Sequence, residues 1–190
     1  RMKTPSPYQN YPPGWPTFDE KIASHRAAAF GFAGTVADIN RFAARYRASR
    51  CFLRVEFAVF THQTSDGYSG LCHLLLTYSA FEYLLRALKL DQHQTSAFLS
   101  AQERDTILKR VHILDSADAL FTFMRPHLNK LHQKQFALYL SGKPCNPFFL
   151  ASGIRHLFAH GVLTPNPGGG TIISVGSVSR YLTRVLLKVM

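Results

Sequence analysis

The 190-residue chain predicts an all-α single domain, and three observations carry that expectation. Apolar residues recur at helical spacing through Tyr68 to Leu90, where Leu71, Leu74, Tyr78, Phe81, Leu85 and Leu88 form one stripe. Asn146-Pro147 and Gly161 bracket a second segment with residues that start and stop helices. A chain of this length buries roughly 70% of its unfolded surface, so one core suffices without a disulfide.

The elements follow in order. Residues 1–17, with Pro5, Pro7, Pro12, Pro13 and Pro16 among tyrosines, read as an extended arm, and 18–190 as one helical domain. Phe18 to about Arg47 reads as a long helix whose Ala/Gly-rich middle, around Gly31 and Gly34, would let another helix approach closely. Cys51 to Phe60 suits a strand or a helix, and helix is favoured in a helical chain. Thr64-Ser-Asp-Gly67 reads as a loop before the helix Tyr68 to Leu90.

Shorter helices are expected over Gln102 to Leu114 and Ser116 to Phe123. A further helix runs from His127 to Leu140, stopped by Ser141-Gly142-Lys143-Pro144. After the helix that ends at Gly161, a Pro/Gly loop from Thr164 to Gly170 precedes a short strand at Thr171 to Val175. Together these predict a bundle with a short strand or hairpin near 162–175, closed by an amphipathic helix from Val178 to Met190.

Cysteine usage and hydropathy bound the class. Cys51, Cys72 and Cys145 are odd in number, far apart and without a Cys-x-x-Cys, which argues against a disulfide framework or a thiolate zinc site. No apolar run approaches the roughly 20 residues that span a bilayer. The proline-rich start lacks the apolar centre of a secretion signal. The expectation is a soluble, cytoplasmic protein with no membrane partner.

Charge points to a polyanion. The formal net charge is +11, and Asp118 is the last carboxylate, after which every charged residue is Lys or Arg. Arg41, Arg45, Arg47, Arg50 and Arg54 form a second basic run, the expected RNA-binding surface. A merely solubilising basic surface is the plain alternative.

The chemistry concentrates in Ile154-Arg155-His156-Leu157-Phe158-Ala159-His160-Gly161. A guanidinium holds phosphate by two hydrogen bonds, and an imidazole exchanges protons near neutral pH. On an ideal helix Arg155 and His160 stand about 140° apart, so convergence needs arginine's reach and a helix end that unwinds at Gly161. His156 and His160, at i and i+4, share a face and offer an alternative two-histidine metal pair, but no third ligand stands nearby and no metal site is expected. A third reading is a histidine that simply favours a helix C-terminus.

Arg155, His156 and His160 resemble the R-x(4-6)-H motif of the HEPN family, the higher eukaryote and prokaryote nucleotide-binding domains. The helix Leu74 to Arg86, with Glu82 and Arg86, is similar to that family's earlier E-x3-K/R helix; on its own this pair is an ordinary i,i+4 ion pair. The resemblance covers roughly Tyr68 to Met190.

It implies an α-helical bundle and a metal-independent endoribonuclease, of toxin or defence type, with no cofactor and a composite site across a homodimer. In that scheme His160 is general base or acid, Arg155 clamps the phosphate, His156 orients or supplies the second proton, and Glu82 and Arg86 support them. RNA would be cut by its 2'-hydroxyl, leaving a 2',3'-cyclic phosphate, while DNA would bind uncut. An antitoxin or regulatory protein is an implied partner. However, Val162 stands where members paired with nucleotidyltransferase antitoxins carry tyrosine, so control by modifying that tyrosine is not expected. The alternatives are a non-catalytic HEPN module that binds RNA or a nucleotide, and a helical interaction scaffold.

Overall fold

The computed structural model describes residues 6–22, 25–166 and 172–190. Eight α-helices occur among them: α1 (Trp15–Lys21), α2 (Val36–Cys51), α3 (His62–Leu88), α4 (Ala101–Leu114), α5 (Ala119–Met124), α6 (Lys130–Leu140), α7 (Pro147–Ala159) and α8 (Ile172–Val189). Short 3-10 turns connect several of them, and the described residues contain no strand. The all-α expectation holds.

The centre of the bundle is α3, which packs against α2, α7 and α8. Its apolar stripe is buried at Leu71, Leu74, Tyr78, Phe81 and Leu85. Two pairings fix how α2 lies: Ser49 meets Thr77, while Gly34, just before α2, donates its N–H to Ala87 O at 2.7 Å. The two helices are therefore antiparallel. On the opposite side Phe148 stacks on Phe81 at 5.0 Å and Phe158 faces Tyr68 at 6.4 Å, so α7 also runs against α3.

Several boundaries differ from expectation, each for a local reason. The long helix Phe18 to Arg47 is broken: α1 ends at Lys21, Arg26 is extended, and Gly31 adopts φ 81°. A new start then forms where the Thr35 side chain accepts from Asp38 N and Asp38 reaches back to Thr35 N, a capping box that overrides continuation. Gly34 does serve close approach, as foreseen for this slim stretch, but from irregular backbone: a Cβ there would lie 2.7 Å from Ala87 Cα. Residues 15–17 of the expected arm belong to α1, with Pro16 in its first turn, and Trp15 and Phe18 bury against Ile39 and Ala43.

Phe52 to Phe60 is neither strand nor helix; it is an irregular connection that exposes Leu53 and Val59. Thr64 to Gly67 is not a loop but the first turns of α3, which starts at its cap Thr61, and Gly67 is glycine because a Cβ would meet Pro165 Cβ at 2.7 Å. Nor do the described residues of 162–175 contain the expected strand. Residues 163–166 are irregular, Ile172 to Val175 open α8, and Thr171 with the glycine run at 168–170 lies outside the described residues. The β-branched run Ile172-Ile173 is helical because α8 needs Gly176 against Gly70 of α3 to close the core.

Candidate functional site

The sequence builds the site by starting and stopping α7 where expected. Asn146 caps it, accepting from Phe148 N at 3.1 Å, and Pro147 stands in the first turn. At the other end Gly161, with φ 74°, donates to Phe158 O at 3.1 Å and Val162 N donates to Leu157 O at 2.9 Å. That paired bonding is a Schellman stop, which needs the left-handed residue and fixes where the helix ends. His160 is the capping residue, already off helical geometry at φ −94° and ψ 7°, and it is exposed.

Arg155 projects toward α3. Its Nη2 donates to Glu82 Oε2 at 3.0 Å, and the pair is about two-thirds buried on both sides. The guanidinium also lies 5.9 Å from the Tyr78 ring centre, and its Nε is buried without a hydrogen-bond partner among the described residues. Burial pushes the Tyr78 hydroxyl up to about 12, so it stays a neutral donor. Glu82 therefore bonds to α7 across the core. Arg86, the other supporting candidate, lies over Tyr83 at 4.8 Å, on the side of α3 that meets α2.

His156 and His160 stand with ring centres 4.5 Å apart and planes 58° from parallel. The His156 pKa is lowered, first by burial, then by His160 and by Arg155. His156 is thus the motif side chain that interacts with both of the others, Arg155 and His160. No group of three or more His, Cys, Asp or Glu capable of holding a metal ion occurs among the described residues.

Behind the motif lies a polar chain that sequence reading missed. His132 Nδ1 is 3.0 Å from Asn129 Oδ1 and its Nε2 is 3.0 Å from Ser152 Oγ, one turn before Arg155 and His156 on α7. Because Asn129 Oδ1 only accepts, Nδ1 carries the proton and Ser152 donates to Nε2. Burial lowers the His132 pKa, with His156 adding to the shift. The helix expected from His127 starts instead at Lys130 behind its cap Asn129, and nothing in the sequence pairs residue 132 with 152.

The five arginines of the basic run do not share one face. Arg41 pairs with Asp38 at 3.8 Å and Arg54 with Glu56 at 2.7 Å. Arg45 donates to Ser79 Oγ at 2.9 Å and covers Tyr83, while Arg47 donates to the Tyr11 hydroxyl at 3.2 Å. Arg50 is exposed near the end of α2.

Among the described residues, no helix is long and apolar enough to cross a membrane. No protein-family model matches the chain, and comparison with curated proteins and with solved structures found no match.

Proposed function

We propose that the protein is a metal-independent endoribonuclease of the HEPN type, acting in the cytoplasm as a homodimer with Arg155, His160 and His156 at its centre. The observation that carries this reading is the Glu82–Arg155 bond, because it joins the two helices on which the resemblance rests. Glu82 occupies Nη2 and leaves Nη1 of the same guanidinium for a phosphate oxygen.

Burial, then His160 and Arg155, lower the His156 pKa, which favours acceptance of the ribose 2'-hydroxyl proton by its neutral ring. Exposed at the helix end, His160 is placed to protonate the departing 5'-oxygen. Arg155 neutralises the charge that builds on the phosphorane. A partner copy would bring a second motif helix, and Val162, at 40% exposure, adds apolar surface beside His160 for it. A toxin or defence role, restrained by an antitoxin or other regulatory protein, belongs to the same proposal.

One observation favours the non-catalytic alternative, a module that binds RNA or a nucleotide: Glu82 already compensates the charge that would grip phosphate. The test incubates wild-type, His160→Ala and Arg155→Ala proteins with single-stranded and structured RNA in excess EDTA. Cleavage by wild type alone, leaving 2',3'-cyclic phosphate ends, is the expected result. Salt-sensitive binding without new ends would move the reading to the binding module.

A further inference from the structure

A cavity of the described molecule lies away from the motif. It measures about 610 Å³ and opens between α4, α6 and the turn before α7. That size falls within the roughly 300 to 1,000 Å³ of small-molecule sites. Leu108, Leu138, Tyr139, Phe149 and Pro144 give it apolar walls, while Arg104, Lys109 and Lys143 contribute charge. Asp105 is its one carboxylate and pairs with Lys109 at 2.8 Å, so Arg104 and Lys143 stand without an ion pair among the described residues.

Polar groups around the cavity are held in place. His112 stacks on Tyr139 with ring centres 4.0 Å apart and planes within 7°. Its Nδ1 is fixed 2.6 Å from Asp118 Oδ1, which leaves Nε2 as the ring nitrogen open to another partner. Asp118 reaches it from strained backbone: Ala117 and Asp118 both have positive φ, 56° and 53°. Such strain persists only where surrounding packing enforces it. The first turn of α7 also borders the cavity through Asn146 and Phe149, and the positive end of a helix dipole favours a bound anion.

We propose that this cavity is a second ligand site, taking a small phosphate monoester on a flat aromatic body, with Arg104 and Lys143 holding the phosphate and His112 giving a directional contact. Two unpaired cations match a dianionic phosphate, and the His112 ring, about a third exposed and backed by the buried Tyr139 ring, matches an aromatic ring. None of Arg155, His156 and His160 lines the cavity, so the ligand is separate from the motif.

The experiment titrates the full chain with 1-naphthyl phosphate, following ligand fluorescence, and repeats it with 1-naphthol and with inorganic phosphate. Saturable 1:1 binding is expected, at least tenfold tighter than either half. Arg104→Ala with Lys143→Ala, the first half-buried and the second exposed, should weaken it tenfold or more while leaving circular dichroism unchanged, and Arg155→Ala should leave it intact. Loss of binding in Arg155→Ala but not in the double variant would place the ligand at the motif and overturn the proposal. Equal affinity for either half, or no saturable binding, would also overturn it. RNA cleavage is read separately, so failure of the ribonuclease reading leaves this test standing.

Discussion

At the scale of single residues, the site depends on how the helix-buried groups share charge. Arg155 and Glu82 lie in a partly screened pair, so a double-mutant cycle with Arg155→Met and Glu82→Gln should give a coupling of about 1 kcal/mol, read from urea unfolding. A coupling near zero would mean the bond is not formed in solution. Glu82→Gln should also lower RNA cleavage by freeing the guanidinium to wander, while retaining more activity than Arg155→Met.

The buried imidazoles make a second residue-scale prediction. His73, His132 and His156 all have pKa values lowered from 6.5, with burial the first cause in each. In the unfolded chain they take up protons near 6.5, so below that pH the unfolded state binds more protons than the folded one. Stability is therefore full above about pH 7 and falls as pH drops through about 6.5, levelling once the folded-state values are passed. Urea midpoints measured from about pH 7.5 to 5 should show this slope, and His132→Gln should flatten it; an unchanged slope in that variant would remove His132 from the account.

At the scale of elements, close backbone approach positions α3 and its neighbours. A Cβ at Gly70 would lie 2.8 Å from Gly176 O, and one at Gly153 would lie 2.5 Å from Phe136 Cζ. Gly70 opposes backbone, which cannot yield, whereas the Phe136 ring can shift at some packing cost. Gly70→Ala should thus destabilise more than Gly153→Ala, each by about 1 to 3 kcal/mol in thermal or urea unfolding. The reverse order would contradict the packing of α8 on α3.

These same glycines explain which elements were legible. The stripe from Leu71 to Leu85 and the cap and stop of α7 are local signals, and they located α3 and the motif helix closely. Gly67 looked like a loop residue because its reason, Pro165, is nearly a hundred positions away. Ile172 and Ile173 looked like a strand because β-branching is a local preference, while the α3 contact that makes them helical is not. The motif residues were visible as types, but the Arg155–Glu82 bond and the Asn129–His132–Ser152 chain exist only through tertiary packing.

At the scale of the whole molecule, the uneven charge of the sequence becomes part of the fold. The carboxylate-free end sends Arg155 to Glu82, Arg180 to Asp66 at 2.7 Å and Lys188 to Glu103 at 3.1 Å, so its cations hold α7 and α8 onto earlier helices. What remains unpaired carries the net positive charge, and if the proposed RNA partner is right, salt should weaken RNA binding accordingly. On the proposed reading, assembly decides whether RNA binding leads to chemistry. If each active site takes groups from two protomers, one defective copy spoils the whole dimer. Equal amounts of wild-type and His160→Ala protein, unfolded together and refolded, would form about one quarter wild-type dimers by random pairing. RNA cleavage in the mixture should then fall to roughly a quarter of the value for the same total of wild type. A fall only to half would show that each copy works alone.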